Sequence, residues 1–119
     1  MTESAKILVV EDEAANRYGV TRALEQAGFD VRSVPDHREA LYVFNSDQPL
    51  DLLVTDIVMP DRVNGFALAR MARMKRPELK VLYMTAFDVG TDEADGKVLR
   101  KPISDEDLVK EVRDCLAGK

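Results

Sequence analysis

Four short apolar runs constrain the fold of this chain more than any other feature of its sequence. The runs are Ile7–Val10, Leu52–Val54, Val81–Met84 and Val98–Leu99. Unbroken apolar runs of this length are typical of strands that are buried on both faces, as in a parallel sheet. A fifth segment, 29–34, alternates apolar and polar residues, which predicts a strand at an edge of the sheet.

Amphipathic helical patterns lie between these runs. Four segments have apolar residues at helical spacing. Two of these segments end before Gly28 and before Pro77, and the other two begin after Asp36 and after Ser104. Glycine is common just past a helix end, whereas aspartate and serine are common at a helix start. The alternation of strands and helices predicts an α/β fold, with a parallel sheet covered by helices on both faces.

Size, charge and cysteine content exclude several classes of protein. The chain has 119 residues, which predicts one domain over 1–119 with a core of about 6–117. A net charge of −5 and a pI of about 4.9 count against nucleic-acid binding. A single cysteine, Cys115, excludes an internal disulfide and favours a reducing compartment. No apolar run approaches the roughly 20 residues of a membrane span. We therefore expect a cytoplasmic protein without a membrane partner.

The segment between the fourth and fifth predicted strands breaks the alternation. Residues 85–97 contain two glycines and four acidic residues but few apolar ones. We expect a loop there, with at most one helical turn in place of a full helix.

Polar side chains follow four of the predicted strands. Glu11 and Asp12 come after the first, Asp56 ends the third, Thr85 follows the fourth and Lys101 follows the fifth. In an open α/β sheet, ligands bind beyond the carboxyl ends of the strands. Three carboxylates and one ammonium group would carry a charge of −2, which a cation such as Mg²⁺ would neutralise. A metal, an ammonium and a hydroxyl suit a phosphoryl group, with Asp56 as the nucleophile.

Simpler interpretations exist for these residues taken singly. Glu11, Asp12 and Glu13 together are also typical of an acidic cluster at a helix start. Lys101 is also typical of a protein surface. Four basic residues of the third helix predict a solvated face, with docking of a partner as the second interpretation. These are Arg70, Arg73, Lys75 and Arg76.

Five motifs stand in order along the chain, each at or near a strand end or the start of a helix. They are Val9–Glu13, Thr55–Pro60, Asn64–Gly65, Met84–Ala86 and Lys101–Ile103. Through these motifs the chain resembles the receiver domain of bacterial two-component response regulators, over nearly its whole length. The resemblance implies a flavodoxin-like, doubly wound fold with five parallel strands in the order 2-1-3-4-5.

The resemblance also implies a function. Asp56 would accept a phosphoryl group from the phosphohistidine of a histidine kinase or a histidine phosphotransfer protein. The phosphorylated domain would then switch its binding to an output protein that the sequence does not identify. Such a domain is not an enzyme in the usual sense, since it catalyses only its own phosphorylation and dephosphorylation.

Roles for individual residues follow from the same resemblance. The metal, Mg²⁺ or Mn²⁺, would be held by Glu11, Asp12, Asp56 and the backbone carbonyl of Val58. The phosphoryl oxygens would be contacted by groups from two strand ends, namely the Lys101 ammonium, the Thr85 hydroxyl and the Ala86 N–H. A cis peptide bond before Pro102 would help to aim Lys101.

Three departures from the family pattern bear on the switch. One additional residue separates Pro60 from Asn64, and the interval from Thr85 to Lys101 is shorter than usual. The fourth helix of the family is therefore expected to be short or missing, as in receivers attached to hybrid kinases and in some stand-alone receivers. Val98 stands where the family has a switch aromatic. We predict that the signal passes instead through ordering of the loop 86–97 on phosphorylation.

Three other functions remain open at this stage. A metal-dependent aspartyl phosphohydrolase needs an acid two residues after the nucleophile, where this chain has Val58. A flavin or nucleotide binder needs a phosphate-binding loop after the first strand, where Glu-Asp-Glu would repel phosphate. The third is a phosphorylation-independent interaction module that kept only the fold.

Overall fold

A parallel sheet with the strand order β2-β1-β3-β4-β5 forms the centre of the molecule. The computed structural model describes residues 4–59, 63–88, 90 and 92–118. Its strands are β1 (Lys6–Val10), β2 (Asp30–Val34), β3 (Leu52–Asp56), β4 (Lys80–Thr85) and β5 (Lys97–Arg100). Its helices are α1 (Ala14–Gln26), α2 (His37–Phe44), α3 (Gly65–Lys75) and α4 (Asp105–Leu116). The predicted α/β class and strand order are confirmed.

Alternate residues of each central strand point into two separate cores. In β1, Leu8 and Val10 pack with residues of α2 and α3, whereas Ile7 and Val9 pack with residues of α1 and α4. Each unbroken apolar run thus packs against helices on both faces of the sheet, which explains why its residues are apolar without alternation. By contrast, β2 is only partly buried, which agrees with its predicted edge position.

Local capping sets the helix boundaries. The side chains of Asp36 and Ser104 accept hydrogen bonds from the backbone N–H groups of Glu39 and Asp107, so that α2 and α4 begin where the sequence predicts. Gly28 follows the end of α1 with a φ of +98°, a conformation that few other residues adopt.

The connection between β4 and β5 contains no helix in its described residues, 86–88, 90 and 92–96. It is instead attached to α3 and β4. Arg70 pairs with Glu93 at 3.1 Å, and Arg73 pairs with Asp95. The Tyr83 hydroxyl also donates a 2.6 Å hydrogen bond to Asp95. The expectation of a loop with at most one helical turn, in place of a full helix, is confirmed for these residues.

The expectation of a solvated basic face on α3 is wrong for two of its arginines. Arg73 is partly buried, pairs with Asp95 and also donates to the carbonyl of Leu79 at 3.0 Å. Arg76 donates to three carbonyl groups at the end of α2, those of Val43, Phe44 and Ser46. These guanidinium groups are therefore fastened to neighbouring elements and are not a free docking surface.

Two further points complete the description of the fold. The additional residue predicted between Pro60 and Asn64 falls within 61–63, and of these positions 61 and 62 lie outside the described residues. Over the part of the chain that is described, no helix combines the length and the apolar character needed to span a bilayer.

Candidate functional site

Polar residues from β1, β3, β4 and β5 converge at the carboxyl edge of the sheet. Glu11 directly follows β1, Asp56 and Thr85 are the last residues of β3 and β4, and Lys101 directly follows β5. Parallel pairing brings these strand ends side by side, with Asp56 opposite Met84 and Thr85 opposite Arg100. Residues 90 positions apart in the chain thus become neighbours because each ends a strand of the same parallel sheet.

Lys101 lies between two buried carboxylates. Its Nζ donates to Oε1 of Glu11 at 2.5 Å and lies 2.7 Å from Oδ1 of Asp56. The Glu11 side chain is 1% exposed and that of Asp56 is 6% exposed. Charges this poorly solvated interact strongly, so the ammonium group holds both carboxylates in place.

The ionisation of these three groups is shifted by burial and by one another. Burial, reinforced by the adjacent Glu11 carboxylate, raises the pKa of Asp56 to about 7. Burial also acts to raise the pKa of Glu11, but hydrogen bonds from Asp56, Lys101 and the N–H of Glu13 outweigh it and lower that pKa. For Lys101, burial is outweighed by its two carboxylate partners, which raise its pKa. One ammonium group therefore does not fully neutralise the negative charge of the acidic cluster.

The arrangement of carboxylates fits a divalent metal. One oxygen each of Glu11, Asp12 and Asp56 lies within 4.8 Å of the other two, and the Asp12 side chain is exposed to solvent. Oδ1 of Asp56 is buried and accepts no well-directed hydrogen bond among the described residues. Hard carboxylate oxygens with access to water are the ligands that Mg²⁺ and Mn²⁺ prefer. The excess negative charge and the under-satisfied oxygen both favour a bound cation.

The remaining predicted site residues line the same cavity. This cavity has a volume of about 380 Å³, and its wall includes Val58, Thr85 and Ala86 beside the acidic cluster. The buried Thr85 hydroxyl accepts a 3.0 Å hydrogen bond from the N–H of Phe87. The structure thus brings every residue predicted for the site to one cavity.

Two backbone features fix Asp56 and Lys101 in place. Gly65, at the start of α3, lies so close to β3 that a Cβ atom there would stand 2.3 Å from the carbonyl oxygen of Asp56. The N–H of Lys101 donates to the carbonyl of Thr85 at 2.8 Å. The Lys101–Pro102 peptide bond is cis, as the resemblance implies.

Two further residues organise the acidic loop after β1: Glu13, which the sequence already places at a helix start, and Arg17, which sequence reasoning overlooked. Glu13 caps α1 by accepting from the N–H groups of Ala15 and Asn16. Arg17 donates to the backbone carbonyl groups of Glu11 and Asp12. An acid just before a helix is a usable capping signal. No local pattern, in contrast, indicates where an arginine side chain will reach.

Comparison with known proteins identifies relatives over nearly the whole chain. The family described as the response regulator receiver domain matches residues 7–113. The chain is 37% identical over 117 residues to the response regulator receiver protein CpdR of Brucella abortus, covering 93% of this chain and 96% of that protein. It is 36% identical over 119 residues to the response regulator MprA of Mycobacterium tuberculosis (strain H37Ra), covering 95% of this chain. The chain spans only 51% of MprA.

Solved structures give the same result. A response regulator receiver protein from Sinorhizobium medicae superimposes with a TM-score of 0.87 at 28% identity, covering 97% of this chain and 96% of that one. The chemotaxis protein CheY4 of Vibrio cholerae superimposes with a TM-score of 0.84 at 28% identity, covering 94% and 98%.

Proposed function

The chain belongs to the receiver domains of two-component response regulators, and on that premise we propose that Asp56 accepts a phosphoryl group from a phosphohistidine. The donor would be a histidine kinase or a histidine phosphotransfer protein. The observation that carries this proposal is the position of Asp56. Its carboxylate shares a cation-sized space with Glu11 and Asp12 and also contacts the ammonium group of Lys101.

In the proposed step, a carboxylate oxygen of Asp56 attacks the phosphorus atom. A new O–P bond forms while the P–N bond to the donor imidazole breaks, and the imidazole nitrogen leaves with the electron pair. The attacking carboxylate must be ionised, whereas burial and Glu11 raise its pKa to about 7. Glu11 and Asp12 would hold a divalent cation beside Asp56, and its charge would lower the pKa of Asp56 and favour the ionised form.

Other groups of the chain, besides the attacking oxygen, have roles around this step. A divalent metal held by Glu11, Asp12, Asp56 and the carbonyl of Val58 would neutralise charge on the phosphoryl oxygens. Lys101, which pairs with Asp56 before the reaction, would move to a phosphoryl oxygen as the Asp56 charge is consumed. The Thr85 hydroxyl and the Ala86 N–H would donate to the other oxygens.

The rest of the proposal concerns the chain as a whole. We place a single receiver domain at 1–119, with its core at about 6–117. It would catalyse only gain and loss of its own phosphoryl group and would signal through an output protein. A cytoplasmic location stays a prediction.

Intact mass measured after incubation with acetyl phosphate and Mg²⁺ tests the proposal. We expect the wild-type chain to gain one phosphoryl group and Asp56→Asn to gain none. Asp47→Asn is the matched control, because Asp47 is an exposed aspartate in the connection that precedes β3, at the opposite edge of the sheet. This control should be phosphorylated like the wild type.

Other outcomes favour the alternative functions. If the wild type gains no mass in the presence of Mg²⁺ or Mn²⁺, the phosphorylation-independent interaction module is favoured. If the chain instead releases phosphate from many small phosphate esters with rapid turnover, it is an aspartyl phosphohydrolase. Phosphorylation of Asp56→Asn at another residue would show that the acceptor is misassigned.

A further inference from the structure

Arg17 reaches back from the first turn of α1 to the loop that carries two of the three clustered carboxylates. Its Nη1 donates to the backbone carbonyl of Glu11 at 2.9 Å and makes a longer contact of 3.4 Å with that of Asp12. The side chain is half-buried. One guanidinium group thus bridges two successive carbonyl groups, and the peptide plane between them is fixed.

Of the three clustered carboxylates, that of Asp12 depends most on its backbone for its position. Glu11 is buried and held by Lys101 and by the N–H of Glu13. The Asp12 side chain is exposed, and the structure gives it no comparable anchor among the described residues. The direction of its Cα–Cβ bond therefore depends on the backbone that Arg17 holds.

We propose that Arg17 is a positioning residue for the metal site. It fixes the backbone at Glu11 and Asp12, so that the Asp12 carboxylate stays near those of Glu11 and Asp56. The inference rests on the proposed function, since it assumes that these carboxylates bind the metal. Groups around a metal site that orient its ligands contribute strongly to metal affinity.

Because Arg17 is positively charged, loss of its charge and loss of its hydrogen bonds should change the metal affinity in opposite directions. A guanidinium beside a cation site repels the cation, so loss of the charge alone would tighten metal binding. Loss of the bridge between the carbonyl groups would weaken it. Arg17→Lys keeps the charge, but its side chain is shorter and its ammonium group is strongly hydrated, so it should bridge the two carbonyl groups poorly. Arg17→Met removes both the charge and the donors.

The experiment measures Mn²⁺ affinity from the paramagnetic resonance signal of the free ion, for the wild type and both variants. We expect Arg17→Lys to bind Mn²⁺ on the order of 10-fold more weakly. We expect Arg17→Met also to bind more weakly than the wild type, despite the lost repulsion. Arg22→Lys is the matched control, because Arg22 lies on the same helix and contacts Tyr18. This control should bind like the wild type.

Amide hydrogen exchange in the metal-free protein provides a second readout. Exchange at Asp12 and Glu13 should accelerate in Arg17→Lys while the amides of β3 keep their protection. The inference is overturned if Arg17→Lys binds Mn²⁺ like the wild type, or if Arg17→Met binds it more tightly. In either case, phosphorylation of the wild type would leave the proposed function standing. A wild-type chain that does not bind Mn²⁺ would overturn the inference together with the proposed metal site.

Discussion

The hydroxyl of Tyr83 donates a 2.6 Å hydrogen bond to the carboxylate of Asp95, and this bond ties β4 to the connection that precedes β5. The Tyr83 ring is buried against Phe66, with ring centroids 5.1 Å apart. The same carboxylate pairs with Arg73 of α3. Tyr83 and Arg73 thus hold the acidic connection in place at the point where the alternation of strands and helices is broken.

Tyr83→Phe is expected to loosen this connection. The variant keeps the ring but leaves the Asp95 carboxylate with one donor fewer, which costs about 1–2 kcal/mol. Urea unfolding measures the loss, and hydrogen exchange of residues 92–96 should accelerate. Tyr42→Phe removes the hydroxyl of an exposed tyrosine and should change neither quantity. Unaltered exchange at 92–96 in Tyr83→Phe would show that the hydrogen bond does not hold the connection.

Gly65→Ala is expected to displace Asp56, the proposed phosphoacceptor. The added methyl group would stand 2.3 Å from the carbonyl oxygen of Asp56, so either α3 or the end of β3 must move. We expect a loss of about 1–3 kcal/mol in the free energy of unfolding and slower phosphorylation from acetyl phosphate. Calorimetry and the intact-mass time course measure the two effects.

Gly19→Ala is the control for this substitution. Gly19 lies within α1, and a methyl group added there meets no atom within 4 Å. Replacement of an exposed helical glycine by alanine should stabilise the protein by about 0.5–1 kcal/mol. If both variants behaved alike, the close approach of Gly65 to Asp56 would have no energetic consequence.

The position of the candidate site could be predicted from the sequence because it depends on topology. Asp56, Thr85 and Lys101 each end or directly follow an apolar run. The carboxyl ends of parallel strands meet at one edge, so the convergence of these side chains follows once the runs are assigned to one parallel sheet. The boundaries of α2 and α4 were predictable for a different reason, since Asp36 and Ser104 act on backbone groups only three residues away.

The partners of the long basic side chains could not be predicted in this way. Arg73 binds Asp95, which is 22 residues further along the chain, and Arg17 binds carbonyl groups that any residue type would supply. With 17 basic and 22 acidic side chains, the sequence permits many pairings. The pairing of Arg73 with Asp95 is selected by the packing of α3 against the connection between β4 and β5. The solvated face predicted for the basic residues of the third helix is therefore wrong at Arg73 and Arg76, whereas Arg70 and Lys75 are exposed.

Phosphorylation is expected to increase order in the connection 86–97. Its described residues 93 and 95 are already bound to α3, while Thr85 is engaged with the N–H of Phe87. A phosphoryl group that recruits the Thr85 hydroxyl must change this turn. Hydrogen exchange with and without Mg²⁺ and a beryllium fluoride phosphoryl mimic should show greater protection of 86–97. Unchanged protection would count against this route, and Asp56→Asn should show no response to the mimic.

Asp56→Asn is expected to stabilise the metal-free protein, by an amount that grows as the pH rises. Native Asp56 keeps its proton up to a pKa of about 7, whereas the unfolded chain loses it near the ordinary value of 3.8. Between these values the native state binds more protons than the unfolded state, so wild-type stability falls with rising pH. Asparagine does not ionise, so Asp56→Asn removes this loss of stability with rising pH.

Urea unfolding of the wild type and Asp56→Asn in EDTA tests the sign of this effect. Between about pH 5 and about pH 8, the advantage of the variant should grow by about 2–3 kcal/mol. Asp47→Asn should show no such growth, because Asp47 is exposed to water. Saturating Mg²⁺ should reduce the advantage at about pH 8, since a ligand that binds only the native wild type stabilises it. A variant less stable than the wild type at that pH, without metal, would mean that Lys101 fully offsets the cost of burying the Asp56 carboxylate.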